Sequence, residues 1–229
     1  MRFVDPDFAV IFDADGVILD SERQSFEALR VAVECVSAGR YRLTEADFPF
    51  VSGRDDDSIV VALNQIHGLG LDADEFRRVK LDCYHRILET DPVRIAPGVH
   101  RLLDELSAAA VPYAIATSAI RAKLELSLAS VGLRDRFPII TSADDVRAAK
   151  PEPDLFLLTA TRLGASPART VVFEDTVNGV LAANRAGMFA VGVAGTFPRA
   201  QLAMAKQIID SLEEVNLTVL RQWIDSRHS

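Results

Sequence analysis

Apolar residues fall along this chain in two rhythms. Short runs rich in Val, Ile and Phe occupy residues 8–12, 113–116, 139–141, 170–173 and 189–193, with a weaker one at 207–210. They lie close to Pro, Gly, Asp or Ser and none alternates strictly, which is how strands buried on both faces of a parallel sheet read. Between the runs the spacing becomes helical. Val99, Leu102, Leu103 and Leu106 stand at i, i+3, i+4 and i+7, and Leu124, Leu128 and Val131 form a similar stripe. Strands that alternate with helices predict right-handed βαβ crossovers, hence an α/β fold with a doubly wound, mainly parallel, Rossmann-like sheet.

One interval breaks the alternation. Residues 21–93 carry helix signals only, and no strand-like run appears between the first strand and about position 112. Helix starts are marked at Ser21, at Thr44 with Asp47 three residues on, and at Asp72 with Glu75 three residues on. This predicts an all-helical domain, 21–93, inserted into an α/β core formed by 1–20 and 94–229. The rejoining segment Asp91-Pro92-Val93-Arg94-Ile95-Ala96-Pro97-Gly98 has a linker's prolines and glycine.

Composition narrows the function classes. The chain of 229 residues is 49% hydrophobic and 25% charged, an ordinary globular balance. Lys and Arg number 25 against 33 Asp and Glu, and the net charge of −8 disfavours non-specific binding of nucleic acid or anionic membrane. No stretch approaches the ~18 apolar residues of a membrane span. The first seven residues hold two acids and no apolar run, unlike a secretory signal. Cys35 and Cys83 are too few for a disulfide framework, and no Cys/His cluster suggests zinc. The expectation is a cytoplasmic protein, a monomer or weak homodimer.

In an open α/β sheet, ligands bind beyond the carboxyl ends of the strands. There the sequence places Asp13-Ala14-Asp15-Gly16, then Thr117-Ser118, then Lys150-Pro151, then Glu174-Asp175 with Thr176 and Gly179. Carboxylates that converge repel one another unless a hard cation is present, and Mg²⁺ prefers such oxygen ligands. A lysine suits phosphate oxygens, and a hydroxyl with backbone N–H groups at helix starts makes an anion cradle. The set fits phosphoryl transfer, in which positioning and charge neutralisation dominate. Aspartate can act as a nucleophile at phosphorus, and a second acid two residues on can serve as general acid and base. Taken singly, each has a plainer reading: a turn residue at Asp13, a helix cap at Thr117-Ser118, a solvated lysine at Lys150, and helix-dipole acids at Glu174-Asp175. His67, Lys80 and His85 read as solvated helix-face residues.

Phe12-Asp13-Ala14-Asp15-Gly16-Val17-Ile18-Leu19-Asp20-Ser21-Glu22 resembles the first motif of the haloacid dehalogenase-like (HAD) hydrolases. Thr117 is similar to the second motif, Lys150 in Lys150-Pro151-Glu152-Pro153-Asp154 to the third, and Phe173-Glu174-Asp175-Thr176 with Gly179 to the fourth. An insertion directly after motif one resembles the C1 cap of the branch that holds β-phosphoglucomutase and many small-molecule phosphatases. The resemblance implies Asp13 as nucleophile, Asp15 as acid/base, and Thr117 and Lys150 as the phosphoryl cradle, with the neighbouring Ser118 hydroxyl a further phosphate-binding candidate. It implies Mg²⁺ on Asp13, the Asp15 backbone carbonyl and Asp175, with Glu174 ligating directly or through water. Asp15 sets the chain apart from the dehalogenase and phosphonatase branches. Ser25 stands where the mutases typically carry a histidine, so a phosphatase acting on a small phosphorylated metabolite is expected ahead of a sugar phosphomutase. Arg54, in the loop similar to the family's specificity loop, is a candidate substrate-binding residue alongside the reading of a charged surface turn. A non-catalytic binding module would be expected to have lost an acid or the lysine. A dinucleotide-dependent oxidoreductase would need a glycine-rich turn where Asp13 and Asp15 stand.

Overall fold

The computed structural model describes residues 7–47, 51 and 56–226. The chain falls into two compact units, Met1–Asp20 with Arg94–Ser229, and Ser21–Val93.

In the first unit, β1 (Ala9–Phe12), β4 (Tyr113–Ala116), β5 (Ile140–Thr141), β6 (Thr170–Glu174), β7 (Phe189–Val193) and β8 (Gln207–Ile209) form a sheet in the order β5-β4-β1-β6-β7-β8. Every pairing in it is parallel. The strand order reverses beside β1, whose Ile11 lies opposite Ala114 of β4 on one side and Val172 of β6 on the other. Such a reversal opens a crevice at the carboxyl edge of the sheet. β1 is buried on both faces because successive side chains point to opposite sides. Ala9 and Ile11 pack against Leu155, Phe156 and Ala160 of α6 (Asp154–Leu163) and Val180 and Ala183 of α7 (Val177–Arg185). On the other face Phe12 stacks on Phe173 with ring centroids 5.3 Å apart and meets Phe137 edge-on. Trp223 of α8 (Leu217–Asp225) continues that aromatic layer by stacking on Phe189. The stripe of Val99, Leu102, Leu103 and Leu106 is the buried face of α4 (Val99–Ala108), and Leu124 and Leu128 are buried on α5 (Arg121–Ser130).

Two strands lie where the hydrophobic pattern shows none. β2 (Leu19–Asp20) and β3 (Arg94–Ile95) pair antiparallel, Leu19 opposite Ile95 and Asp20 opposite Arg94, and Ala96 N–H extends the pairing to the Ile18 carbonyl at 2.8 Å. Two residues are too few to display a period. β6 also runs one residue further than its apolar run, so that Glu174 belongs to the strand.

The second unit contains α1 (Glu22–Val36), α2 (Asp56–His67) and α3 (Ala73–Thr90), packed around Leu29, Ala32, Val33, Leu63 and Phe76. Asp72 caps α3 by accepting from Glu75 N–H at 2.8 Å. Thr44 precedes a 3₁₀ turn (Glu45–Asp47), and its N–H and hydroxyl both donate to Asp47. Among the described residues no helix is long and apolar enough to cross a membrane.

Leu102 is fully buried in the α/β unit. Leu102→Ala should therefore lower the stability of that unit by about 2–5 kcal/mol, the range for a cavity-forming truncation. Urea unfolding followed by fluorescence of Trp223, the one tryptophan of the chain, checks it.

Candidate functional site

The site is built from the loops that leave β1, β4 and β6. Asp13 follows β1 directly, and its N–H continues the ladder to the Phe173 carbonyl at 2.9 Å. The chain then folds back on itself: the Ala14 carbonyl accepts from Ile18 and Leu19, and Gly16 N–H donates to the Leu19 carbonyl at 2.7 Å. Gly16 has φ +80°, and a Cβ there would run into the Asp175 carboxylate and the Thr196 hydroxyl. Only glycine meets both the left-handed backbone and the close approach.

Lys150 ties the loops together. Its ammonium donates to Asp13 Oδ1 at 2.5 Å, to Glu174 Oε1, and to the Ala116 carbonyl at 3.4 Å, and it lies 5.0 Å above the Phe156 ring. One buried cation thus links the ends of β1, β6 and β4. Glu174 is fully buried; its Oε2 accepts from the Thr176 N–H and hydroxyl. Thr176 in turn caps α7 by accepting from Gly179 N–H at 3.0 Å. A Cβ on Gly179 would overlap the Glu174 carboxylate, so the glycine is what lets the acid lie against the first turn of α7.

Thr117 is buried after β4, and its Oγ1 accepts from Ala119 N–H at 3.0 Å, leaving the hydroxyl proton to be donated elsewhere. Ser118 beside it is exposed. Asp15 is the open member of the set: its side chain is 32% exposed, and Lys123 Nζ donates to its Oδ2 at 2.8 Å. Arg54 lies outside the described residues. Of the residues set aside, Lys80 pairs with Asp56, His67 packs on the Tyr41 ring, and His85 is exposed.

The charges do not balance. Burial pushes the Asp13 carboxyl up to about 7; the Lys150 ammonium pulls it down and the Glu174 charge pushes it up again. Burial works to lower the Lys150 ammonium, but the Asp13 and Glu174 carboxylates outweigh it and hold its pKa above the usual lysine range. Asp175 is held well above the usual carboxylate range by burial and by the charges of Glu174 and Asp13, against a hydrogen bond from Thr196. Its Oδ1 is buried with no hydrogen-bond partner. An orphaned carboxylate oxygen beside two more buried acids is a fitting environment for a hard cation. No three His, Cys, Asp or Glu side chains among the described residues form a ready-made metal cage. A Mg²⁺ site of one or two carboxylates completed by water and phosphate needs none.

Two residues of the site escape a reading of the sequence. Thr196 follows β7 in a segment without a motif. Lys123 carries one faint signal, a cation in the first turn of a helix, where the dipole disfavours it.

The fold and this acid–lysine cluster define a Rossmann-like hydrolase. Residues 10–193 match the family model described as haloacid dehalogenase-like hydrolase, and the chain belongs to that family. It is 32% identical to the YhcW protein of Bacillus subtilis (strain 168), over 96% of this chain and 99% of that one. It is 35% identical to the fructose-1-phosphate phosphatase YqaB of Escherichia coli (strain K12), over 80% of this chain and 95% of that protein. CbbY from Rhodobacter sphaeroides, solved in complex with phosphate, shares the fold with a TM-score of 0.85 at 23% identity, covering 93% of this chain and 98% of that one. The chain is a phosphoric monoester hydrolase.

The raised Asp13 pKa has a consequence for stability. Between the ordinary 3.8 and about 7, the folded protein keeps a proton that the unfolded chain has lost, so the contribution of Asp13 to stability falls as pH rises through that window. Asp13→Asn has no such proton. In EDTA, its melting temperature should gain on that of the wild type as pH rises from about 4 to 8; parallel curves would contradict the assignment.

Proposed function

We propose that this chain hydrolyses the monoester of a small phosphorylated metabolite, a sugar phosphate in the first instance, through an aspartyl phosphate on Asp13. The observation that carries the reading is the buried Lys150 ammonium held between Asp13 and Glu174 next to the partnerless Asp175 Oδ1. In the first step an Asp13 carboxylate oxygen attacks phosphorus. The bond to the leaving-group oxygen breaks, and Asp15 gives that oxygen its proton. In the second step Asp15 takes a proton from water, the water oxygen bonds to phosphorus, and the Asp13–phosphorus bond breaks to restore the carboxylate. Lys150 neutralises charge on the transferring group, while Thr117 donates its free hydroxyl proton to a phosphoryl oxygen and Ser118 adds a donor at the rim. Mg²⁺ held by Asp13, the Asp15 backbone carbonyl, Asp175 and Glu174 (directly or through water) would add positive charge where the phosphoryl oxygens gather.

The helical unit 21–93, inserted between β2 and β3, serves on this reading as a cap that selects the substrate, with Arg54 as an anion- or hydroxyl-binding candidate. The sugar-phosphate class is supported by the fructose-1-phosphate phosphatase among the relatives. Water, not a sugar hydroxyl, is the acceptor, since Ser25 occupies the position where the mutases carry a histidine and its hydroxyl is a poor base near neutral pH. The place of action is the cytoplasm.

Asp13→Asn should lower turnover by roughly 10⁴-fold or more, the scale of losing a nucleophile, while the protein stays folded. A phosphorus NMR time course of the wild type on β-glucose 1-phosphate with Mg²⁺ and glucose 1,6-bisphosphate should show inorganic phosphate and no glucose 6-phosphate. Glucose 6-phosphate appearing faster than inorganic phosphate would make the protein a mutase.

Lys150→Ala removes the charge that the site is built around. It should lower kcat/KM by about 10²-fold or more, as expected for a major electrostatic donor. Steady-state kinetics on 4-nitrophenyl phosphate check it, and an unchanged value would remove Lys150 from the site.

A further inference from the structure

Lys123 has a place in the site that neither motif nor mechanism has yet given a task. It lies in the first turn of α5, a turn with no acidic residue and with Arg121 as a second cation. Positive charge is disfavoured at a helix N-terminus, so the partners of these two cations matter. The Arg121 guanidinium donates to the Ile140 carbonyl at 3.2 Å and to Asp145 Oδ2 at 2.7 Å. Lys123 instead turns back over the carboxyl edge of the sheet and, across 108 positions of sequence, meets Asp15 Oδ2 at 2.8 Å. Its own side chain is only 17% exposed.

We propose that Lys123 is a positioning residue for Asp15, holding its carboxyl where it can pass a proton to the leaving-group oxygen. The inference rests on the role of Asp15 proposed above. Asp13 is held by Lys150, Glu174 by Thr176 and Asp175 by the Thr196 hydroxyl. Asp15 is more open to solvent than these three, and Lys123 is an ion-pair partner that fixes the direction of its carboxyl. A partly exposed ion pair contributes little stability. Orientation is a different matter, because a misplacement of about 1 Å at a reacting group can cost 10²-fold in rate.

A residue that acts through the general acid leaves a signature that mere folding defects do not. The proton matters in proportion to the basicity of the leaving oxygen: 4-nitrophenolate departs without one, whereas phenolate and alkoxides need it. Values of kcat/KM for a series of aryl phosphates, from 4-nitrophenyl to phenyl to 4-methoxyphenyl, therefore test the role, because kcat/KM excludes the later hydrolysis of the phosphoenzyme. Lys123→Met should leave 4-nitrophenyl phosphate within about threefold of wild type. Phenyl and 4-methoxyphenyl phosphate should lose about tenfold or more, an appreciable part of the 10²–10⁴ that general acid catalysis supplies. Lys123→Gln should behave like Lys123→Met, Lys123→Arg should restore the shallow dependence, and Asp15→Asn should be steeper still. Equal losses on all leaving groups, or no loss on any, would overturn the role of Lys123 alone. A wild type that cleaves none of these esters, with or without Mg²⁺, would overturn the parent reading and this inference with it.

Discussion

A single ammonium carries the carboxyl edge of this sheet. Asp13, Glu174 and Asp175 are each almost wholly buried, and three carboxylates in so small a volume oppose one another as well as their own desolvation. Lys150 is the cation between two of them. The strand order makes that contact possible: β4, β1 and β6 are consecutive neighbours, so the Ala116 carbonyl, Asp13 and Glu174 emerge side by side at one edge. A lysine delivered from the loop before α6 can then reach all three. The glycines follow from the same constraint. Gly16 and Gly179 lack side chains at the points where the Asp175 and Glu174 carboxylates lie, so a methyl group at either would displace the acids and break the cluster from outside.

The cluster holds more buried acids than its one ammonium can balance, so Asp13 and Asp175 hold their protons more tightly than ordinary carboxyls. Fully satisfied buried networks rigidify a protein; partly satisfied ones store strain that a ligand can relieve. Within the cluster, Asp175 Oδ1 is buried without a hydrogen-bond partner. The neighbouring acids are by contrast well held, with Glu174 accepting from two groups of Thr176. Donors and charges are therefore set before any substrate arrives. Catalysis by electrostatic preorganisation requires exactly that order of events in energy terms: the reorganisation is met during folding and not during the reaction.

What could be read from the chain depends on how many residues share a signal. β1, β4 and β6 were legible because each is built on a run of apolar residues that stops at a polar group, and those groups are Asp13, Thr117 and Glu174-Asp175. A strand end marks the edge of the sheet, and the edge marks the crevice, so these acids could be placed there from the ends of the apolar runs, while their separate tasks came only from the family resemblance. β2 and β3 were not legible, because a two-residue strand has no period and is defined only by its partner. Lys123 and Thr196 were hidden for a related reason. Each matters through a contact with a residue far away in sequence, and locally one reads as a solvated helix residue and the other as a loop residue. Glu174 shows the boundary between the two cases: its polarity ends the apolar run, yet the backbone ladder continues through it to Gly192 of β7.

The β2–β3 pair also explains how a large insertion can follow the most demanding turn of the molecule. The loop from Asp13 to Gly16 tolerates little displacement, since Gly16 touches Asp175 and Asp13 touches Lys150. An insertion that pulled on this turn would move both contacts. Pairing Leu19 with Ile95 and Asp20 with Arg94 clamps the outgoing and returning chains a few residues beyond the turn. The ends of residues 21–93 are then fixed together whatever lies between them. The entropy of closing such a segment grows only with the logarithm of its length, about 0.6 kcal/mol for each doubling. A helical unit with its own core of Leu29, Val33, Leu63 and Phe76 can therefore vary in size and surface without disturbing the acids. The chain therefore leaves and re-enters the α/β unit through four paired residues whose backbone bonds belong to that unit, and what lies between them can change without a change in the turn that carries Asp13.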